Sequence, residues 1–150
     1  MRFERFSIFG FLIPILSSLI GLVGAVLIIL ILKLINIFIE SAIIADISGL
    51  IYSNLLLLFF ISLLTSYANY FLKFRFTLGV ISPLISSAAG VLIIYFILKI
   101  FTVINKHINL EIITVISSFF SENILTILVL LLILSYLGFV IETAKELKAK

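Results

Sequence analysis

The 150-residue chain has no cysteine and no tryptophan, one histidine and two prolines, and only 11% of its residues are charged. Without cysteine there is no disulfide framework, no thiolate metal site and no cysteine catalysis. The single histidine, His107, stands four residues before Glu111. That pair falls short of the three or four protein ligands a zinc site needs, so a solvated loop pair is the expectation. The scarcity of charge excludes an ordinary soluble domain, in which roughly a quarter of residues would be charged. No acid or base stands in the middle of an apolar run, which argues against a proton relay. Neither a phosphate-cradling glycine loop nor a serine-nucleophile elbow is present. Glu40 and Asp46, the nearest approach to a carboxylate pair, have no companions that would define a reaction. The chain reads as a non-enzyme without cofactor or metal.

What it has is hydrocarbon. Thirty isoleucines and twenty-nine leucines stand against seventeen charged residues. A monomer folded in water would leave apolar faces exposed, so the surrounding medium is lipid or further copies of the chain. Charge-free runs extend over Ser7–Leu32, Ile47–Leu72, Phe76–Leu98 and Asn123–Ile141. Each reaches the roughly 20 helical residues that cross a hydrocarbon layer of about 30 Å. Continuous apolar runs do not alternate as barrel strands do. The predicted fold is therefore all-α, a membrane-type bundle of four long hydrophobic helices forming one domain. The first run is about twice the length of a signal-peptide core, so it is expected to be a retained helix that tilts or protrudes. With tryptophan absent, Phe and Tyr alone supply an interfacial belt.

The charges divide unevenly between the two ends of such a bundle. Arg2, Arg5, Lys73, Arg75, Lys145, Lys148 and Lys150 share the end with both termini, whereas Lys33, Lys99 and Lys106 fall on the other. This predicts both termini on the cytoplasmic or interior side. A basic inner face has anionic lipid or, in a virion, DNA as its partner.

Displacing the sequence by 69 residues superposes Gly10 on Gly79, Pro14 on Pro83, Ser17-Ser18 on Ser86-Ser87, Gly21 on Gly90, Asn36 on Asn105, Asn54 on Asn123 and Ser66-Tyr67 on Ser135-Tyr136. From Gly10 to Phe76 there are 19 identities in 67 positions, ten of them at Gly, Pro, Ser, Asn or Tyr. Apolar bias does not place ten rarer residues in one frame, so a tandem duplication of units at about 10–76 and 79–145 is predicted. Each unit contains two crossings, an even number. The two helical hairpins are thus expected as a parallel repeat.

Within each unit, small residues predict close helix contacts. Ser17 and Gly21, like Ser86 and Gly90, lie four apart on one helical face and admit a neighbouring backbone. Gly24 extends that face in the first unit, but Ile93 replaces it in the second. Ser62, Ser66 and Asn69 form a sparse stripe in the second crossing, echoed by Ser135 and Gly138 in the fourth; interhelical hydrogen bonding is expected of Ser66 and Ser135. Pro14 and Pro83 are expected to set helix starts or shape. Asn54 and Asn123 are expected to cap helix N-termini. The oily connections at 37–47 and 106–116 suit an interfacial helix or an extension of the bundle, and packing against neighbouring copies.

The unit resembles the small, two-helix major capsid proteins of archaeal spindle-shaped viruses. The shared features are a long apolar first helix, Asn36 near its end, Asn54-Leu55 opening the second helix, and the finish Tyr67, Tyr70, Lys73. The second unit keeps Asn105, Asn123 and Tyr136 but ends in Glu142-Thr143-Ala144-Lys145, which departs from that finish. The resemblance implies a non-enzymatic shell subunit that self-assembles through apolar helix faces, with lipid, around DNA. From the residues themselves, a structural, self-assembling membrane or virion-shell protein is expected. The alternative is a small four-helix transporter, channel or accessory subunit bound to other membrane subunits. Transport would require a polar cavity along Ser62, Ser66 and Asn69.

Overall fold

The computed structural model describes residues 8–74 and 78–148. Among these the chain is all helical, with four long helices and two shorter ones. The order is α1 (Ile8–Ile39), α2 (Ala42–Ser53), α3 (Leu55–Leu72), a 3-10 turn at Gly79–Ile81, α4 (Ser82–Ile108), α5 (Glu111–Glu122) and α6 (Ile124–Lys148). Four of these helices, α1, α3, α4 and α6, are long and apolar enough to cross a membrane. α1, with 32 residues, is about 48 Å long at about 1.5 Å per residue, well beyond a hydrocarbon layer of about 30 Å. α3, with 18 residues, is about 27 Å and matches that layer.

The Ile47–Leu72 run is not one helix. It is divided at Asn54, where the backbone leaves helical geometry at φ −114° and ψ 20°. α2 therefore lies beyond the span formed by α3 and packs against the distal part of α1 and against α4. The break repeats at Asn123, with φ −104° and ψ 20° between α5 and α6. In both places the asparagine closes the helix that precedes it. The Asn54 Nδ2 donates to the Leu50 carbonyl and the Asn123 Nδ2 to the Phe119 carbonyl, each at 2.8 Å. The expected role at the start of the next helix is thus corrected for Asn54, which makes no side-chain cap bond to α3. An amide four residues after a carbonyl reaches that free acceptor within its own turn.

The ends of α1 and α4 are also alike. Glu40 (φ 50°) and Asn109 (φ 54°) take the left-handed conformation that stops a helix, and their N–H groups donate to the Asn36 and Asn105 carbonyls at 2.9 and 2.8 Å. Pro83 stands at the start of α4, where its missing N–H costs no hydrogen bond. Pro14 instead lies inside α1, in its second turn.

The long helices pack in series, α1 on α3, α3 on α4 and α4 on α6. Successive helices in this row are antiparallel, as the pairs Ser17 with Ser66, Lys99 with Asn54, and Ser87 with Ser135 require. Among the described residues no comparable contact joins α1 to α6. The row has two free edges.

Its interior is built from small and hydroxyl side chains. Ser18, Ser48, Ser82 and Ser87 are buried, with Ala68, Ala89, Ile29, Leu98 and Tyr70. Ile and Leu point outward along α1 and α6, and nothing in the most apolar stretch of α6 is buried. A water-soluble bundle would place those side chains inside. In lipid the tails surrounding a helix are as apolar as leucine, so small residues that permit close approach go to the contacts.

Candidate functional site

Two seams, α1 with α3 and α4 with α6, contain the small residues singled out by the sequence. In the first, Ser66 Oγ donates to Ser17 Oγ at 3.4 Å. A Cβ built on Gly21 would lie 2.7 Å from Ser62 Oγ, so glycine is what allows α1 to approach α3 there. In the second seam a Cβ on Gly90 would meet the Leu131 Cδ1 at 3.1 Å, a flexible side-chain end. Gly24 has open space instead.

Within each serine pair, the fully buried member is the second, Ser18 or Ser87. Each donates to the carbonyl of the proline four residues earlier, Pro14 or Pro83, at 2.7 Å. Ser135 partners Ser87, at 3.2 Å, whereas Ser86 faces a recess beside it. Helical periodicity assigns a face of some 100° to a contact, and two adjacent serines both lie near its edge. Tyr67 and Tyr136 hold the same seams at the end nearer the termini, donating to the Phe11 and Val80 carbonyls at 3.3 and 3.0 Å.

A polar cluster links α2 and α3 to α4. Asp46 Oδ2 accepts from Lys106 Nζ at 3.0 Å and lies 3.0 Å from His107 Nε2. Lys99 Nζ donates to Asn54 Oδ1 at 2.7 Å and sits 4.8 Å from the Tyr95 ring centroid. The Lys106 bond, followed by the His107 bond and the Lys106 charge, holds the Asp46 carboxyl below its ordinary range. Pairing of His107 with Glu111 along one helical face does not arise, because α4 ends at Ile108 and α5 starts at Glu111. Among the described residues no cluster of three His, Asp or Glu could hold a metal ion.

Two recesses lie near the termini end of the row. One, of about 190 Å³, is lined by Pro14, Ser17, Ser66, Asn69 and Lys73. The other, of about 230 Å³, is lined by Asn69, Ser82, Ser86, Ser135, Gly138 and Glu142. The groove further along the row, at Gly21, Gly24, Leu58 and Phe96, is almost wholly apolar. Lys73 and Lys145 are exposed at the C-terminal ends of α3 and α6. Arg2, Arg5, Arg75 and Lys150 lie outside the described residues, as does the Lys148 side chain.

The Asp46 cluster was not singled out by sequence reading. Its signal is in the repeat frame: Asp46 corresponds to Val115, Lys106-His107 to Ile37-Phe38, and Lys99 to Leu30. Polar departures from the shared pattern fall where the first unit meets the second. Comparison of the chain with protein-family models, curated proteins and solved structures finds no match.

Proposed function

We propose that this chain is a non-enzymatic structural protein of a membrane or virion shell, built from two tandem helical hairpins and assembling with copies of itself. The observation that carries this reading is the pair of free edges: α1 and α6 end the row with long stripes of exposed Ile, Leu and Val. Such edges are satisfied only by lipid or by protein.

Duplication is supported by recurrence at a displacement of 69 residues. The bounds Ala42–Ser53 return as Glu111–Glu122, Glu40 returns as Asn109, and the Tyr67–Phe11 bond returns as Tyr136–Val80. The antiparallel succession along the row is what a parallel pair of hairpins produces. With both termini on the cytoplasmic or interior side, Lys73 and Lys145 face the enclosed compartment, anionic lipid or DNA. The likeness of each unit to spindle-shaped virus capsid proteins makes a major capsid protein the specific form of this proposal.

The experiment is direct imaging of the native particle or membrane containing the full chain. An ordered array of this chain supports the shell. Isolated copies dispersed in bilayer reject it. The recesses at Asn69 favour one rival, a small transporter or channel. That rival requires a water-filled path continuing past the apolar groove at Gly21 and Phe96, which solute flux into vesicles containing the purified chain would reveal.

A further inference from the structure

We propose that the chain assembles head to tail, with α1 of one copy lying on α5 and α6 of the next in the way α4 lies on α2 and α3 within the chain. This names the partner and the geometry of the self-assembly proposed above, and rests on it. The argument comes from the one joint in the molecule that has no counterpart inside it. α1 with α3 is matched by α4 with α6, and α1 with α2 by α4 with α5. The joint of α4 with α2 and α3 is matched by nothing, because the sequence ends before a third unit begins.

The surfaces that would form its counterpart are exposed. On α4, Ser82 and Ala89 are 6% and 3% exposed, and their equivalents on α1, Ile13 and Ile20, are 61% and 68% exposed. On α3, Ala68 is 5% exposed, and its equivalent on α6, Leu137, is 53% exposed. Ile13, Ile20, Leu27 and Leu34 recur every seven residues, so they form one continuous stripe along α1. The stripe is too long to be a single ligand pocket and has the form of a helix contact.

The chemistry of the joint changes consistently at every equivalent pair. Inside the chain, Ser82 Oγ donates to the Ala68 carbonyl at 2.7 Å, Lys99 pairs with Asn54, and Asp46 pairs with Lys106 and His107. Moved by one unit, these pairs become Ile13 with Leu137, Leu30 with Asn123, and Val115 with Ile37 and Phe38. All six apolar residues are exposed, Phe38 at 81%. Had the α1 and α5–α6 faces been shaped for water, the polar partners would have been retained. Had either polar set been retained alone, joining would bury an unpaired charge. Because both sides are apolar together, the faces are complementary to each other. The larger side chains hold this outer joint wider than the inner one. A contact between two different faces does not close on itself as a two-fold dimer does, and produces a ring or a continuing row.

The chain contains no cysteine, so introduced thiols report without background. The test is oxidative cross-linking of the full chain, in the membranes or particles in which it is made, with Ile13→Cys and Leu137→Cys in the same chain. Both positions are exposed, and they lie on opposite edges of the row, out of reach of each other within one copy. The expected result is a ladder of species spaced by one chain mass, 16.8 kDa, with no ladder from either single substitution. Ser82→Cys with Ala68→Cys is the internal control and gives an intrachain bond. Dimers from Ile13→Cys alone would show α1 packing on its own copy and would overturn the proposal. Assembled particles without a ladder would also overturn it while leaving self-assembly standing. Dispersed single copies in lipid would overturn both.

Discussion

Lys99 Nζ donates to Asn54 Oδ1 at 2.7 Å, joining a lysine inside α4 to the residue at which α2 ends and α3 begins. The same asparagine uses its Nδ2 to close α2 through the Leu50 carbonyl. One side chain thus ends a helix and fixes the neighbouring unit. Replacing Lys99 by Leu, the residue at the equivalent position 30, removes this hold without disturbing the α2 cap. The expected loss is about 1 kcal/mol, within the range for hydrogen bonds to charged groups. A double-mutant cycle with Asn54→Ala, read by thermal unfolding in detergent, should give a coupling energy of similar size. Additive losses would show that the pair does not act together.

The three glycines at 21, 24 and 90 should respond differently to enlargement. At Gly21 an added Cβ meets Ser62 Oγ at 2.7 Å, so Gly21→Leu forces α1 away from α3 and should destabilise the chain by roughly 1–3 kcal/mol. Ser62→Gly should recover part of that loss. Gly90→Ala, which meets only the movable end of Leu131, should cost little. Gly24→Ile, which copies Ile93 into open space, should be tolerated. Equal effects at Gly21 and Gly24 would remove the close-approach explanation.

The four crossings were legible because charge marks the ends of apolar runs, and Lys33, Lys73 and Lys99 are visible in a bare sequence. The division at Asn54 was not, since an uncharged residue inside an apolar run carries no boundary signal, and the Asn-Leu pattern suited a helix start equally well. The serines at the seams were legible as a type and a region. Which of Ser17 and Ser18 turns inward depends on a rotation of α1 that only packing against α3 decides. The serial row was hidden for a different reason: each long helix is apolar all round, so periodicity does not say how many neighbours it has. The Asp46 cluster joins residues sixty and sixty-one positions apart, and becomes visible only when the two units are compared at sites where they differ.

Acid should loosen α2 from α4. Asp46 is held below its ordinary carboxylate range by Lys106 and His107, so its folded-state value lies under its unfolded one. The stabilisation is therefore fully present above the ordinary range and is lost as pH falls through the depressed value. Amide exchange in α2 should stay slow at neutral pH and accelerate in acid below the usual carboxylate range. Asp46→Asn should show faster α2 exchange already at neutral pH and little further acid response. Persistence of the acid response in that variant would place the titrating group elsewhere.

Glu40 offers a gain in stability. At φ 50° its backbone is in the left-handed region, where a side chain beyond Cβ is disfavoured and glycine or asparagine is preferred. The second unit meets the same need with Asn109 at φ 54°. The Asn36 carbonyl still requires the residue-40 N–H, at 2.9 Å, so the conformation must be kept while the strain is relieved. Glu40→Gly and Glu40→Asn should each stabilise the chain by roughly 0.5–1 kcal/mol, with the caveat-free comparison supplied by Asn109→Val, which puts a β-branched residue into the same geometry and should destabilise it by about 1–2 kcal/mol. Thermal unfolding of the three variants in one detergent measures the difference. A loss of stability in both Glu40 variants would mean that the Glu40 side chain contributes more than its backbone strain costs.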